Sequence, residues 1–150
     1  MNVGDPAMVS GSMSSRQDAL DTLMAYTWAR GDTEFIHQLA IDAYGAQNAD
    51  ERTKPIGMTF ALIGLYLAVE KGWSGKQVQR AHMLLGRRRR AWPQFDLPQN
   101  RGSITILDVL DVPEGPERDR SIHRWCKAVW AAFAGSRPMI VALLAEYGIV

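Results

Sequence analysis

A stretch without any charged residue constrains the fold of this chain most strongly. It runs from Pro55 to Val69 and is apolar on every face of a helical wheel. In water such a helix is stable only where other helices surround it. The stretch has 15 residues, fewer than the roughly 20 that cross a bilayer, so we expect no membrane span. The sequence therefore predicts an all-α bundle around a central apolar helix that begins at Pro55 and ends at Gly72.

The other helices are predicted from apolar residues at three- and four-residue spacing and from capping residues. The first helix begins at Ser14 or Ser15 and buries a face that includes Trp28. The second is capped by Asp32. The expected spans of the later helices are Ser74 to about Ala91, Glu117 to Ala134 and Ser136 to Tyr147. Residues 103–112 favour a short helix over a lone strand, because no partner strand is in view.

The length of 150 residues fits one domain. Residues 1–13 are rich in Gly, Ser and Asn and lack an apolar period, so they are predicted to form a flexible leader. Residues 14–150 then make a single domain of five or six helices. One cysteine, Cys126, excludes a disulfide framework and cysteine-rich zinc sites. The first residues lack the pattern of a signal peptide, so a cytoplasmic location is expected.

Unusual polar residues concentrate on the second helix. His37, Asp42, Tyr44 and Gln47 lie among apolar positions. They either make hydrogen bonds between helices or line a polar pocket that binds a ligand, with His82 of a neighbouring helix as the first candidate for a polar counterpart. Both alternatives stay open at this point.

The three histidines occur one per helix, at positions 37, 82 and 123. If they met in the core they would suit a catalytic zinc or nickel ion, which makes a metal-dependent enzyme an alternative hypothesis. Nothing in the sequence brings them together. We therefore assign no metal ligand, no cofactor and no catalytic residue.

The charges are unevenly distributed although the net charge is only +1. Residues 76–95 carry six cations and no acid, whereas residues 108–119 carry five acids and one arginine. The candidate basic patch consists of Arg80, Arg87, Arg88, Arg89, Arg90 and Trp92. These cations suit a helix carboxyl end, a nucleic-acid backbone, or the acidic segment of a partner or second copy. A pI near 7.9 is low for a dedicated nucleic-acid binder, so nucleic acid is the least expected partner.

Three segments resemble a bacterial family catalogued as domain of unknown function 5946. They are HQLAIDAYGAQN at 37–48, KPIGMTFALIGLYLAVEKGWSGKQVQRAH at 54–82, and W-x-x-x-V-W at 125–130, and the similarity spans about residues 34–145. The family motif H-x-L-x-x-D-A-Y-x-x-Q-H is matched from His37 to Gln47. Asn48 replaces its last histidine, and the cysteine-bearing segment of many relatives is missing. Both departures weaken a zinc hypothesis, and the resemblance implies no established activity.

The sequence thus predicts a small helical protein that acts by binding a partner protein or a small ligand near His37, Tyr44 and His82. The metal-dependent enzyme and the arginine-rich nucleic-acid contact are the two alternatives.

Overall fold

The computed structural model describes the backbone of residues 6–150 and the side chains from Ser15 onward. Over these residues the fold is all-α, as predicted, with no strand. The described part contains seven α-helices, whereas five or six were predicted. A 3₁₀ turn, Ala134–Ser136, lies between the last two of them. The helices are α1 (Pro6–Arg30), α2 (Ile36–Gln47), α3 (Pro55–Lys71), α4 (Gly75–Arg88), α5 (Ile106–Asp111), α6 (Pro116–Ala132) and α7 (Arg137–Glu146).

The uncharged stretch forms α3 and lies in the core, which confirms the central-helix prediction. Nine residues of α3 between Met58 and Leu67 are buried. The helix packs against α2, α4, α6 and α7. α2 is its closest partner and itself contacts α1, α4 and α6. The centre of the bundle is therefore the α2–α3 pair.

Most predicted helix ends are correct because their chemistry is local. Gly72 ends α3 with a positive φ of 69°, a conformation that glycine adopts at little cost. Ser74 and Gln77 form the predicted capping box of α4. Thr105 and Asp108 form another at α5, which confirms the helical interpretation of residues 103–112.

Four local predictions differ from the structure. α1 begins at Pro6, so its first residues overlap the predicted leader, while residues 1–5 lie outside the described part of the chain. α4 ends at Arg88, three residues before the predicted end. Phe35, in a left-handed conformation, precedes α2, although Asp32 still accepts a hydrogen bond from the Ile36 amide. Trp28 is 67% exposed because the buried stripe of α1 runs through Ala19, Leu23 and Thr27 instead.

Within the described residues, no single helix is both long enough and apolar enough to cross a bilayer. One bent pair of helical segments, Pro116–Ala132 and Ala134–Glu146, has the length and apolar composition of a membrane span when the two are taken together. Its apolar residues, among them Trp125 and Ile140, are buried in the bundle core.

The burial of α3 predicts a large effect of shortening one of its side chains. Leu65 is 1% exposed, so Leu65→Ala should lower the free energy of unfolding by about 2 to 5 kcal/mol through lost transfer energy and the cavity left behind. Urea denaturation measures the change. Met139→Ala on an exposed position of α7 is the matched control, and an equal effect of the two substitutions would contradict the central position of α3.

Candidate functional site

Two of the predicted site residues, Tyr44 and Gln47, line a cleft between helices. The cleft has a volume of about 440 Å³. Its walls come from the amino half of α1, the carboxyl end of α2, residues 101–105 and α5. We call it the arginine cleft, and its polar and charged lining comprises Ser15, Arg16, Tyr44, Gln47, Asn48, Arg101 and Thr105. Gly102, Ile106 and Leu107 complete it.

Gln47 fixes the base of the arginine cleft. Its side-chain amide donates hydrogen bonds to the carbonyl oxygens of Ile104 at 2.7 Å and Arg101 at 3.2 Å. Its Oε1 accepts a hydrogen bond from the indole Nε1 of Trp125 at 2.9 Å. One side chain thus ties α2 to α6 and to the loop before α5. All of its contacts are internal, so Gln47 positions the walls.

Arg101 closes the carboxyl end of α2. Its guanidinium donates to the carbonyl oxygens of Gln47 and Ala49, and its Nε donates to that of Pro98 at 2.9 Å. A cation is favoured here, because the last carbonyls of a helix carry partial negative charge. Among the described residues that line the cleft none is acidic, so Arg101 and the exposed Arg16 give this lining a positive charge.

Asp42 is buried in the α2–α3 interface and lines neither this cleft nor the larger one described below. Its Oδ1 accepts a hydrogen bond from Gln38 at 3.1 Å, whereas its buried Oδ2 has no partner among the described residues. The carboxyl group lies directly on Gly64 of α3, where any Cβ would overlap it. Burial raises the pKa of Asp42 well above its ordinary value, since a low dielectric disfavours the charged form.

His37 lies between α1 and α2. Its Nδ1 is 2.8 Å from the Thr27 hydroxyl, which makes a hydrogen bond, and its ring packs against those of Trp28 and Phe35. Partial burial lowers the pKa of His37. These contacts hold the α1–α2 corner together.

His82 lies between α4 and α3. Its Nε2 donates a hydrogen bond to the Phe60 carbonyl at 2.9 Å, and its ring stacks on the Phe60 ring at 4.7 Å. Burial lowers the pKa of His82 to about 4. His37 and His82 therefore have partners on different helices, and the structure gives the two histidines separate packing roles.

The described side chains include no group of three His, Cys, Asp or Glu residues placed to hold one metal ion. His123 is exposed on α6. Cys126 is buried, as predicted, and its thiol donates to the Leu39 carbonyl at 3.5 Å. Burial raises the pKa of Cys126, which keeps the thiol protonated and unreactive.

A second cleft, of about 560 Å³, lies where the turn before α2 meets the turn between α3 and α4. Its lining includes Asp32, Glu34, Trp73, Asp119 and His123. Asp119 is held by hydrogen bonds from Tyr26 and Arg30. The lining residues come from three separate segments, within 32–39, 68–77 and 119–123, so no single motif in the sequence indicates this cleft.

The candidate basic patch divides into two groups. Arg80, Arg87, Arg88 and Arg90 are exposed. Arg89 instead pairs with Glu146 of α7 at 2.8 Å and donates to the Ala91 carbonyl. Trp92 packs edge-on against Phe60 with ring centres 5.2 Å apart. Arg89 and Trp92 are thus part of the packed fold, and the four exposed arginines remain as a charged surface.

Sequence reasoning missed four polar residues of the arginine cleft. Ser15, Arg16, Arg101 and Thr105 lie far from the second helix in sequence, and Arg101 is in a loop without apolar periodicity. The only available signal was a lone arginine in an otherwise small and polar segment.

Comparison with family models matches residues 13–134 to a family described as a family of unknown function, DUF5946. The matched range contains every candidate site residue from His37 to Trp92, and also Arg16 and Arg101. Comparison with curated proteins and with solved structures gave no match.

The buried Asp42 predicts a stability that falls as pH rises. The folded chain keeps the proton of Asp42, whereas the unfolded chain releases it above about pH 3.9. The unfolded state then binds fewer protons, so a higher pH favours it. Asp42→Asn does not titrate. Its free energy of unfolding relative to the original chain should therefore rise as the pH increases above about 4, by up to about 1.4 kcal/mol per pH unit.

Urea denaturation at several pH values measures this slope, and Asp96→Asn at an exposed position reports the effect of the same change on the surface. A constant difference between the Asp42→Asn chain and the original across this range would show that Asp42 is ionised in the folded protein.

His82 should titrate far below a free imidazole. NMR titration of the ring protons should give a midpoint at about 4, against roughly 6.5 for an unperturbed histidine. Between these pH values His82 is protonated in the unfolded chain and neutral in the folded chain. His82 therefore lowers the free energy of unfolding as the pH falls from about 6.5 to about 4. The spectrum of His82→Gln identifies the resonance. A midpoint near 6.5 would contradict the buried position.

Proposed function

We propose that this chain, which belongs to the DUF5946 family of unknown function over residues 13–134, is a binding protein that holds a small organic anion in the arginine cleft. The observation that carries the proposal is the charge of the lining, which among the described residues includes two arginines and no Asp or Glu. The ligand class is a carboxylate or phosphate ester with an apolar part.

The size and the walls of the cleft support a small ligand. A volume of about 440 Å³ lies within the range of roughly 300–1,000 Å³ in which small-molecule sites fall. The base is held by the contacts of Gln47 and Arg101, so little ordering is needed when a ligand enters. A pre-formed site spends less of its interaction energy on ordering.

The polar groups can orient the anion. Arg101 uses its Nε and Nη1 to bind carbonyls, while its Nη2 makes no hydrogen bond among the described residues. Arg16 has no ion pair within the described part of the chain. Arginine binds carboxylate and phosphate oxygens with well-defined geometry. Tyr44 and Asn48 add polar groups to the same wall.

The apolar residues define the other end of the ligand. Ile106 and Leu107 of α5 line the cleft beside these polar groups. Leu107 is 58% exposed, so covering it with a ligand removes apolar surface from water. An anion with an aliphatic or aromatic part can contact both the arginines and the apolar residues of the cleft, whereas inorganic phosphate can contact only the arginines.

Thermal denaturation with matched probes tests the proposal. Hexanoate, benzoate and phenyl phosphate should raise the Tm of the purified protein, because a ligand that binds only the folded state stabilises it. Hexanol and benzyl alcohol, which keep the apolar part and lack the charge, should not. Comparing the carboxylates with phenyl phosphate identifies the preferred head group.

Substitutions assign the effect to the cleft. Arg16→Gln removes one cation from an exposed position that makes no ion pair among the described residues. It should weaken binding about tenfold, the effect of losing a charge-assisted contact of about 1.4 kcal/mol. Arg52→Gln, an exposed arginine outside the cleft, is the matched control. Equal stabilisation of the two variants by the anions, or equal effects of the neutral probes, would reject the proposal.

A further inference from the structure

One face of α4 carries exposed basic residues from its first turn to its last. Lys76, Arg80 and Arg87 follow one another at intervals of four and seven residues, so they share a face of the helix. All three are exposed. With Met83, Leu84 and Arg88 they make what we call the basic face.

The basic face has an apolar centre. Met83 is 51% exposed and lies between the two exposed arginines at positions 80 and 87. Together with Leu84 and Arg88 these residues line a shallow groove of about 420 Å³. None of the ion pairs among the described residues involves a cation of this face. The surface therefore offers an apolar contact surrounded by unneutralised positive charge.

A surface of the opposite kind lies at α5 and the turn after it. Leu107 is exposed, and so are the acidic residues that follow it in the sequence, Asp108, Asp111, Glu114 and Glu117. We call these five residues the acidic corner. Arg118 reaches only Glu114, at 3.9 Å, and its guanidinium otherwise binds the carbonyls of Leu110 and Val112.

The two surfaces match in spacing as well as in charge. Leu107 and Asp111 are four residues apart on α5, and Met83 and Arg87 are four residues apart on α4. In both helices this spacing places an apolar side chain about 6 Å along the axis from a charged one. An apolar contact flanked by opposite charges is the usual composition of a specific interface, with an apolar centre and a polar rim.

The two surfaces belong to helices that have different packing partners. α4 packs on α2 and α3, whereas α5 packs on α1 and α6. We propose that the basic face of one copy of this chain binds the acidic corner of a second copy. Leu107 also lines the arginine cleft, whereas the other residues of both surfaces lie outside it, so the contact between copies needs no ligand in the cleft.

The apolar centre favours a protein partner over a nucleic acid. A phosphate backbone is bound by cations and hydrogen-bond donors, and bases are held by stacking on aromatic rings. Trp92, the nearest candidate ring by sequence, packs against Phe60. Met83 and Leu84 would make no favourable contact with a phosphate backbone, whereas they can pack against the exposed Leu107 of a second copy.

Two charge-reversed chains test the contact. The first carries Arg80→Glu and Arg87→Glu, and the second carries Asp111→Arg and Glu114→Arg. Sedimentation velocity at low salt and high protein concentration should show association of the original chain, weakened about tenfold or more in each variant, because like charges then face each other. An equimolar mixture of the two variants should form a mixed dimer, because the acidic corner of the first meets the basic face of the second, and longer assemblies as well, because the substituted faces are also opposite in charge.

Added salt should dissociate the original complex and the mixed dimer alike, because exposed charges are screened. Arg52→Glu controls for net charge, and circular dichroism shows that the exposed substitutions leave the helices folded. The inference is overturned if the original chain stays monomeric, if the variants associate as it does, or if their mixture does not form the dimer. A gel shift with RNA or DNA that the first variant loses would assign the basic face to nucleic acid instead.

Discussion

The close approach of α2 to α3 is the constraint on which the other features depend. Small residues face each other in this interface: a Cβ at Gly45 of α2 would lie 3.7 Å from the Ala61 side chain of α3. Gly64 of α3 leaves room for the Asp42 carboxyl. The pairing fixes α2 in the middle of the bundle, with its amino end at the acidic second cleft and its carboxyl end at the arginine cleft.

Burial of the Asp42 carboxyl in this interface has a desolvation cost that an apolar side chain would not have. Burial of a polar group is unfavourable unless it finds a hydrogen-bond partner, and only one of the two Asp42 oxygens has one among the described residues. The protonated form reduces the cost, because a neutral acid loses less hydration than a carboxylate. Burial therefore favours the protonated form of Asp42. Its side chain lies against Gly64 between the two helices, so this polar motif residue lines neither cleft.

The sequence predicts the parts of the fold that depend on local chemistry. The apolar circumference of α3, its end at Gly72 and the capping box at Ser74 each follow from a few neighbouring residues. Trp28 could not be placed in this way. A spacing of four residues puts it near Met24 on a helical wheel, but the buried stripe of α1 runs through Thr27 because that hydroxyl contacts His37. The walls of the arginine cleft come from four segments, so only tertiary packing brings Arg16, Tyr44 and Arg101 together.

The four consecutive arginines have different contacts because α4 ends within the run. The helix continues through Arg88 and ends there, so Arg87 and Arg88 follow its exposed surface. Arg89 has extended backbone geometry and turns toward Glu146. The charge run by itself did not indicate this division. It depends on where α4 stops, and Pro93 sets only an approximate limit for that position.

The two proposed surfaces share Leu107, and this has a thermodynamic consequence. Leu107 lines the arginine cleft and also forms the apolar centre of the acidic corner. α5 has only six residues, too few for a helix that is stable alone, so its position depends on what packs against it. A ligand that covers Leu107 competes with a second copy for the same apolar surface. Because linkage is reciprocal, each lowers the affinity of the protein for the other by the same factor.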